Sequence, residues 1–283
     1  MIELPASIRP QRQLGQNFLL DKLILEREVG YAGIAATDTV LEIGAGFGNL
    51  TECLAARAGH VTAVEYDKQF KERLESLART RRNISLIWGD ALSVQLPPFN
   101  KVVANLPYKI ALPVAFRLLD SPFETGVLML QEDMAQRICA SPGEAGYGRL
   151  SVTVQRLAST DLLDTVPRAA FSPAPDVDSA ILRLRPVSVP FAVAPAEAFK
   201  TLLEHLFLYR NDRLATALLP LGSARDAVPL LRRELRNKQV SRMTPEEFGE
   251  VSRFLDSRKV ELPAVSEATK RRSGPPRRRP GRR

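Results

Sequence analysis

Thr39-Val40-Leu41-Glu42-Ile43 runs straight into Gly44-Ala45-Gly46-Phe47-Gly48-Asn49, and a helical pattern starts at Leu50. A short buried strand, a glycine turn and a helix form the layout of a βαβ nucleotide site. The spacing departs from G-x-G-x-x-G, because Asn49 holds the third glycine position and Gly48 comes one residue early. Glycines at such a turn let the backbone approach a ligand that a Cβ would push away. The next apolar run, Val61-Thr62-Ala63-Val64, ends in Glu65. A carboxylate at that strand end can accept both hydroxyls of a ribose. Ile84-Ser85-Leu86-Ile87-Trp88 leads to Gly89-Asp90, where a second carboxylate can accept from a ring amine. Lys101-Val102-Val103-Ala104 ends in Asn105-Leu106-Pro107-Tyr108. The Asn105 side-chain carbonyl and the Leu106 backbone carbonyl can both accept from one exocyclic NH2. Pro107 fixes the local φ and Tyr108 can stack on the ring that bears the amine. Taken singly, each acid also fits a solvated loop residue and Tyr108 also fits a core aromatic. Four such features at four successive strand ends fall where ligands of open α/β sheets bind.

The chain has 283 residues, enough for one substantial core and a smaller domain, and its 45% hydrophobic content suits a globular protein. No apolar run of about 18 residues is present, so no membrane span is expected. The segment Met1-Ile2-Glu3-Leu4-Pro5 lacks the basic and apolar regions of a secretory signal. Cys53 and Cys139 lack metal-ligand spacing, and His60 and His205 are the sole histidines, so no metal centre is expected. This composition suits a cytoplasmic chain, and a monomer is expected. The net charge of +8 is uneven. Residues 270–283 carry eight of the 40 basic residues and no acid, which leaves the rest balanced at 32 against 32. That Pro-rich tail is too polar to fold alone. It suits phosphate contact, a localisation signal or simple solubility.

Residues 1–20 read as an arm and Asp21 as the N-cap of a helix. Strand-helix alternation continues to a fifth strand at Gly126-Val127-Leu128-Met129-Leu130, which argues for a parallel sheet covered by helices. The stretch 149–159 is ambiguous, because Ser-Val-Thr-Val-Gln alternates as a strand does. Ser179 to Arg185 reads as a late strand, antiparallel at the sheet edge. The expected division is a catalytic domain over 21–187, a helical domain over 188–265 and a basic tail over 266–283. Within the helical part, Phe199, Leu202, Leu203, Leu206 and Phe207 form an amphipathic stripe, and Thr244-Pro245-Glu246-Glu247 is a capping box.

Glu42-x-Gly44-x-Gly46-x-Gly48 resembles the first motif of S-adenosylmethionine (SAM) methyltransferases. More closely, the chain over about 9–265 resembles the ribosomal RNA adenine N6-dimethyltransferases that act on the small subunit. The resemblance rests on Leu14-Gly15-Gln16-Asn17-Phe18-Leu19, Glu42 to Gly48, Asn105 to Tyr108, Tyr147-Gly148-Arg149-Leu150-Ser151-Val152 and Phe171 to Ala180. It implies an α/β fold: a Rossmann-like SAM-dependent methyltransferase sheet with helices on both faces, plus a small C-terminal helical domain. It favours helix at 149–159. It implies that Asn17, Leu19, Gly44, Glu65, Asp90 and Asn105 line a SAM site. By the same resemblance Asn105, Leu106 and Tyr108 hold a target adenine, and Phe171 covers its second face unless it is a core aromatic. The activity implied is dimethylation of two adjacent adenines near the 3′ end of small-subunit rRNA, in an assembling small-subunit particle. Arg210 and Arg213 fall in the family's basic helix motif, where Asp212 departs from the expected Lys or Arg. Gln13 departs at an arm position that is often basic, beside Arg12. Two alternatives stay open: a large-subunit rRNA adenine methyltransferase of the antibiotic-resistance type, and a non-catalytic assembly factor. A nicotinamide dehydrogenase is disfavoured by the glycine spacing and by the lack of a histidine near a strand end.

Overall fold

The structure, a computed structural model, describes residues 8–11, 14–187, 191–221 and 224–260. Arg12, Gln13 and the basic tail lie outside the described residues. The chain divides into two compact units, Met1–Cys139 with Leu157–Ser188, and Ala140–Arg156 with Val189–Arg283.

The first unit is built on a seven-stranded sheet. Its elements in chain order are β1 (Phe18–Leu19), α1 (Lys22–Ala32), β2 (Thr39–Ile43), α2 (Asn49–Ala55), β3 (His60–Glu65), α3 (Lys71–Thr80) and β4 (Ile84–Trp88). There follow β5 (Lys101–Asn105), α4 (Ala111–Leu119), β6 (Thr125–Gln131) and α5 (Glu132–Cys139). After α6 (Arg149–Leu157) come β7 (Ala158–Val166), β8 (Phe171–Ser172) and β9 (Ser179–Pro186). The sheet order is β4-β3-β2-β5-β6-β9-β7, and β1 pairs separately with β8. The strands β4, β3, β2, β5 and β6 run parallel. The apolar runs of β2, β3 and β6 are buried almost end to end, as a sheet covered on both faces requires, while β4 at the sheet edge is partly exposed. Strand order reverses between β2 and β5, which opens a crevice at their carboxyl ends.

Register aligns those ends. Ile43 pairs with Val64, Glu65 with Trp88, and Asn105 with Met129. Asp21 caps α1 as the sequence indicates, accepting from the N–H groups of Leu23 at 2.9 Å and Ile24 at 3.4 Å. The fifth parallel strand stands where it is expected.

Two expectations need correction, and one ambiguity resolves. The late strand β9 is antiparallel but not at the edge, because β7 pairs outside it. The ambiguous stretch resolves as helix over 149–157, as the resemblance favours, with Val152 and Val154 both buried. The strand begins at Ala158, where Ala-Ser-Thr-Asp-Leu-Leu-Asp-Thr-Val has little period-2 pattern and Leu162 is 43% exposed. Finally, residues 140–156 cluster with the second unit, whereas the sequence placed the division at 188.

The second unit contains α6 for most of its length, then α7 (Ala196–Leu208), α8 (Leu214–Leu218), α9 (Arg233–Asn237) and α10 (Pro245–Ser257). The apolar stripe of α7 is buried, and Phe207 packs against the same core. Tyr147 is fully buried there and donates its hydroxyl to the Met243 carbonyl at 2.7 Å. That bond helps explain why the 140–156 segment belongs with this unit. The capping box at the start of α10 is present, with Thr244 and Glu247 bonded reciprocally. Among the described residues no helix is long and apolar enough to cross a membrane.

Candidate active site

The glycine turn after β2 is left-handed at Gly44 (φ +79°), Gly46 (+53°) and Gly48 (+86°). These angles strain any residue with a Cβ. A Cβ on Gly46 would also meet the Phe18 ring at 3.3 Å. The turn is fastened to β3: the N–H of Gly44 donates to the Val64 carbonyl at 2.8 Å, and that of Gly46 to Glu65 Oε2 at 2.7 Å. The other oxygen of Glu65 accepts from the Asp67 N–H at 2.7 Å. Burial pushes the Glu65 carboxyl above its usual range, and the N–H groups of Asp67 and Gly46 pull it back. Each oxygen keeps a lone pair for a further donor.

Across the crevice, Asn105 closes β5 and Leu106 follows it. Asn105 Oδ1 is buried and has no partner among the described residues. None of the described loop and turn bonds ends on the Leu106 carbonyl. An unmet buried acceptor is costly, on the order of 1–3 kcal/mol, unless a ligand satisfies it. The half-buried Tyr108 is tethered by its hydroxyl to Ser179 Oγ at 2.7 Å. Burial raises the pKa of that phenol, and the Ser179 bond opposes the shift.

The arm supplies the third wall. β1 pairs antiparallel with β8, Phe18 opposite Ser172 and Leu19 opposite Phe171. The Leu19 carbonyl accepts from Asn49 Nδ2 at 3.2 Å, and Asn17 Nδ2 reaches the Gly15 carbonyl at 3.4 Å. Asp67 ties the arm down, accepting from Gln11 at 2.9 Å and Gln16 at 2.8 Å. Asp90 accepts from the Leu92 N–H at 2.9 Å and so caps the turn that follows β4.

These walls enclose one cavity of about 340 Å³. Asn17, Leu19, Gly44, Glu65, Asp90, Asn105, Leu106, Tyr108 and Phe171 all line it. The volume lies at the lower end of ordinary small-molecule pockets, roughly 300–1,000 Å³. Phe171 is 7% exposed and packs with Leu19, Met129 and Ile181, so it serves the core as well as the cavity wall. Arg210 and Arg213 belong to the second unit and are not among the lining residues. The Arg210 guanidinium donates to the Ala145 carbonyl at 3.1 Å, and the Arg213 backbone bridges to Gln239. Among the described residues no group of acids, histidines and cysteines is arranged to hold a metal ion. Sequence reasoning gave no site role to Ser179 or Asp67, although Ser179 opens a strand it quoted. It quoted Glu42 in the glycine motif without foreseeing its burial and missed Glu28; both carboxyls are buried and pushed up to about 8 by that burial.

The family model of ribosomal RNA adenine dimethylases matches residues 8–257. The chain belongs to that family. Among its relatives, the probable ribosomal RNA small subunit methyltransferase A of Methanosarcina mazei is 40% identical over 246 residues, covering 85% of this chain and 91% of the relative. The protein of the same description in Thermococcus gammatolerans is 40% identical over 255 residues, covering 88% and 90%. The crystal structure of a dimethyladenosine transferase from Plasmodium falciparum superposes with a TM-score of 0.75 at 25% identity, covering 86% of this chain and 98% of that one. The 23S rRNA methyltransferase ErmE superposes with a TM-score of 0.65 at 29% identity, covering 85% and 100%. The fold is thus that of an rRNA adenine methyltransferase.

Proposed function

We propose that this chain dimethylates N6 of adenines in small-subunit ribosomal RNA, with SAM as methyl donor. The observation that carries the reading is the pair of open acceptors, Asn105 Oδ1 and the Leu106 carbonyl, beside the tethered ring of Tyr108. The residues of the glycine crevice suit SAM. Glu65 has lone pairs left for two ribose hydroxyls, and the strained glycines leave room for a ligand against the backbone. Asp90 stands where it can accept from the amine of the cofactor's own adenine, while Asn17 and Leu19 close the pocket from the arm side.

SAM, when bound, supplies an electrophilic methyl with a neutral thioether as leaving group. The protein's task is orientation. The adenine amine is a poor nucleophile because its lone pair is delocalised into the ring. Two acceptors on its two N–H groups draw it toward tetrahedral geometry and expose the lone pair. Tyr108 stacks on the base, and Phe171 offers an apolar surface for the opposite face. The base must leave its stack to enter. No general base is needed, since the N6 proton becomes acidic once the methyl has transferred. After one transfer, the remaining N–H can still donate to one of the two acceptors, which permits a second. The helical unit, with Arg210 and Arg213, is assigned to RNA contact, and the tail 270–283 to phosphate contact. Acting on the RNA within an assembling particle also makes the chain a participant in small-subunit biogenesis.

Small-subunit relatives at 40% identity favour this substrate over the large-subunit reading, for which the ErmE likeness is the supporting observation. Incubating the protein with labelled SAM and, in parallel, unmodified small and large subunits, followed by nucleoside analysis of each RNA, tests the proposal. N6,N6-dimethyladenosine in the small-subunit RNA is expected. Label confined to large-subunit RNA would establish the other reading, and no label in either would leave a binding factor.

A further inference from the structure

Asp90 opens the connection from β4 to β5, residues 89–100, which contains no helix or strand. A crossover between parallel strands is usually a helix, which packs onto the sheet and fixes the residues at its start. Here that support is missing, and β4 is also the outermost strand on its side. Short-range bonds hold the turn from within. Asp90 Oδ1 accepts from the Leu92 N–H, and the Asp90 carbonyl accepts from the N–H groups of Ser93 and Val94, all at 2.9 Å. These bonds fix the shape of the turn. They do not fix its place over the cavity, which needs a tie to a neighbouring element.

The tie comes from α4. The half-buried Arg117 donates through one guanidinium nitrogen to the Ala91 carbonyl and through the other to the Val94 carbonyl. Ala91 is buried and lines the cavity beside Asp90, whereas Arg117 is not among the lining residues. A guanidinium is a planar fork of donors, so two carbonyls on its two ends fix the turn in both distance and angle. The ammonium of a Lys is a single point of charge and cannot reproduce that fork. The helix that carries Arg117 begins at Ala111, shortly after Tyr108. It is therefore joined to the clamp at its start and to the Asp90 turn near its end.

We propose that Arg117 is a positioning residue for the cofactor's adenine: its two-ended grip on the turn 91–94 holds the Asp90 carboxylate where it meets the exocyclic amine of that base. The inference rests on the methyltransferase reading above and extends it to a residue in none of the quoted motifs. Beyond its bond to Leu92, the Asp90 carboxylate has lone pairs left to accept from the amine. An oxo group at the same ring position presents an acceptor instead, and a site built for the amine rejects it.

The test measures, by calorimetry on the full chain, the binding of S-adenosylhomocysteine and of its inosine counterpart, in which an oxo group replaces the amine. Wild type should prefer the adenine ligand by about tenfold to a hundredfold. In Arg117→Lys and Arg117→Met the preference should shrink to about threefold or less, chiefly through weaker binding of the adenine ligand. Lys keeps the charge and the stem, so a like loss in both variants assigns the effect to the fork. KM for SAM should rise about tenfold, with a smaller change in kcat. Asp90→Ala should abolish the same preference, and Arg117→Lys added to it should cost little more. Should the Met variant not fold, Arg117→Gln carries its prediction. A merely structural role weakens both ligands alike, so a folded variant that keeps the wild-type ratio overturns the inference, as does a wild type with no preference. Wild-type protein that binds neither ligand would overturn the methyltransferase reading itself.

Discussion

In the proposed mechanism a single side-chain oxygen, Asn105 Oδ1, carries the chemistry. It is buried, it has no partner among the described residues, and it stands beside the Leu106 carbonyl at the end of β5. Asn105→Ala removes one of two acceptors and should lower kcat on the order of a hundredfold, with SAM affinity nearly unchanged. Single-turnover assays beside calorimetry separate the two effects; equal kcat in the variant would remove Asn105 from the mechanism. Tyr108 acts differently. Tyr108→Ala loses base stacking, about 1–3 kcal/mol, and should raise KM for RNA more than it lowers kcat. Tyr108→Phe keeps the ring but loses its bond to Ser179, about 1 kcal/mol, and should lie between wild type and Ala. Glu65, Asp90 and Asn105 are legible in the sequence because each follows an apolar run that can only be a buried strand. Ser179, Asp67 and Glu28 are not. Tyr108 and Ser179 are 71 positions apart, and Gln16 and Asp67 are 51, so only the fold brings them together.

At the scale of elements, α1 and β2 each bring a buried carboxyl beneath the cavity. Glu28 faces Asn105 and Glu42, while Glu42 faces Thr51 and Glu65. Burial pushes both carboxyls up to about 8 from the ordinary 4.5. The folded state therefore holds protons that the unfolded chain releases near its ordinary carboxylate value. Their contribution to stability is fully present below pH 4.5 and is lost as pH rises toward 8. Melting temperature at constant ionic strength should fall between pH 6 and 8, and Glu28→Gln should flatten the fall; a melting temperature that rises through this window would contradict the assignment. The turn before β3 gives a second prediction. A Cβ on Gly59 would meet the Ala36 carbonyl oxygen at 2.4 Å. Gly59→Ala should lower stability by about 1–3 kcal/mol in denaturant unfolding, and an unchanged midpoint would show that the turn yields freely. The inner parallel strands are legible because burial on both faces writes them as apolar runs. β7 is not, because an exposed outer strand with a register shift between Leu162 and Asp164 leaves no clean period.

The whole molecule joins a charge-balanced body to a strongly basic end. Removing residues 270–283 takes away eight positive charges, so RNA binding should weaken and its dependence on salt should become shallower. Titrations at several salt concentrations check this, and an identical slope would take the tail off the RNA. The division into two units was legible only in part. The helical pattern beyond 195 marks the second unit, but nothing local shows that 140–156 joins it, since the Tyr147 bond to Met243 spans 96 positions. The measurement that tests the central claim most directly is a crystal structure with the demethylated cofactor and an adenine-bearing oligonucleotide. The account predicts adenine N6 within about 3.2 Å of both Asn105 Oδ1 and the Leu106 carbonyl, with the cofactor sulfur facing it across the glycine turn. A base bound with its amine away from Asn105, or a cofactor seated outside this crevice, would contradict it.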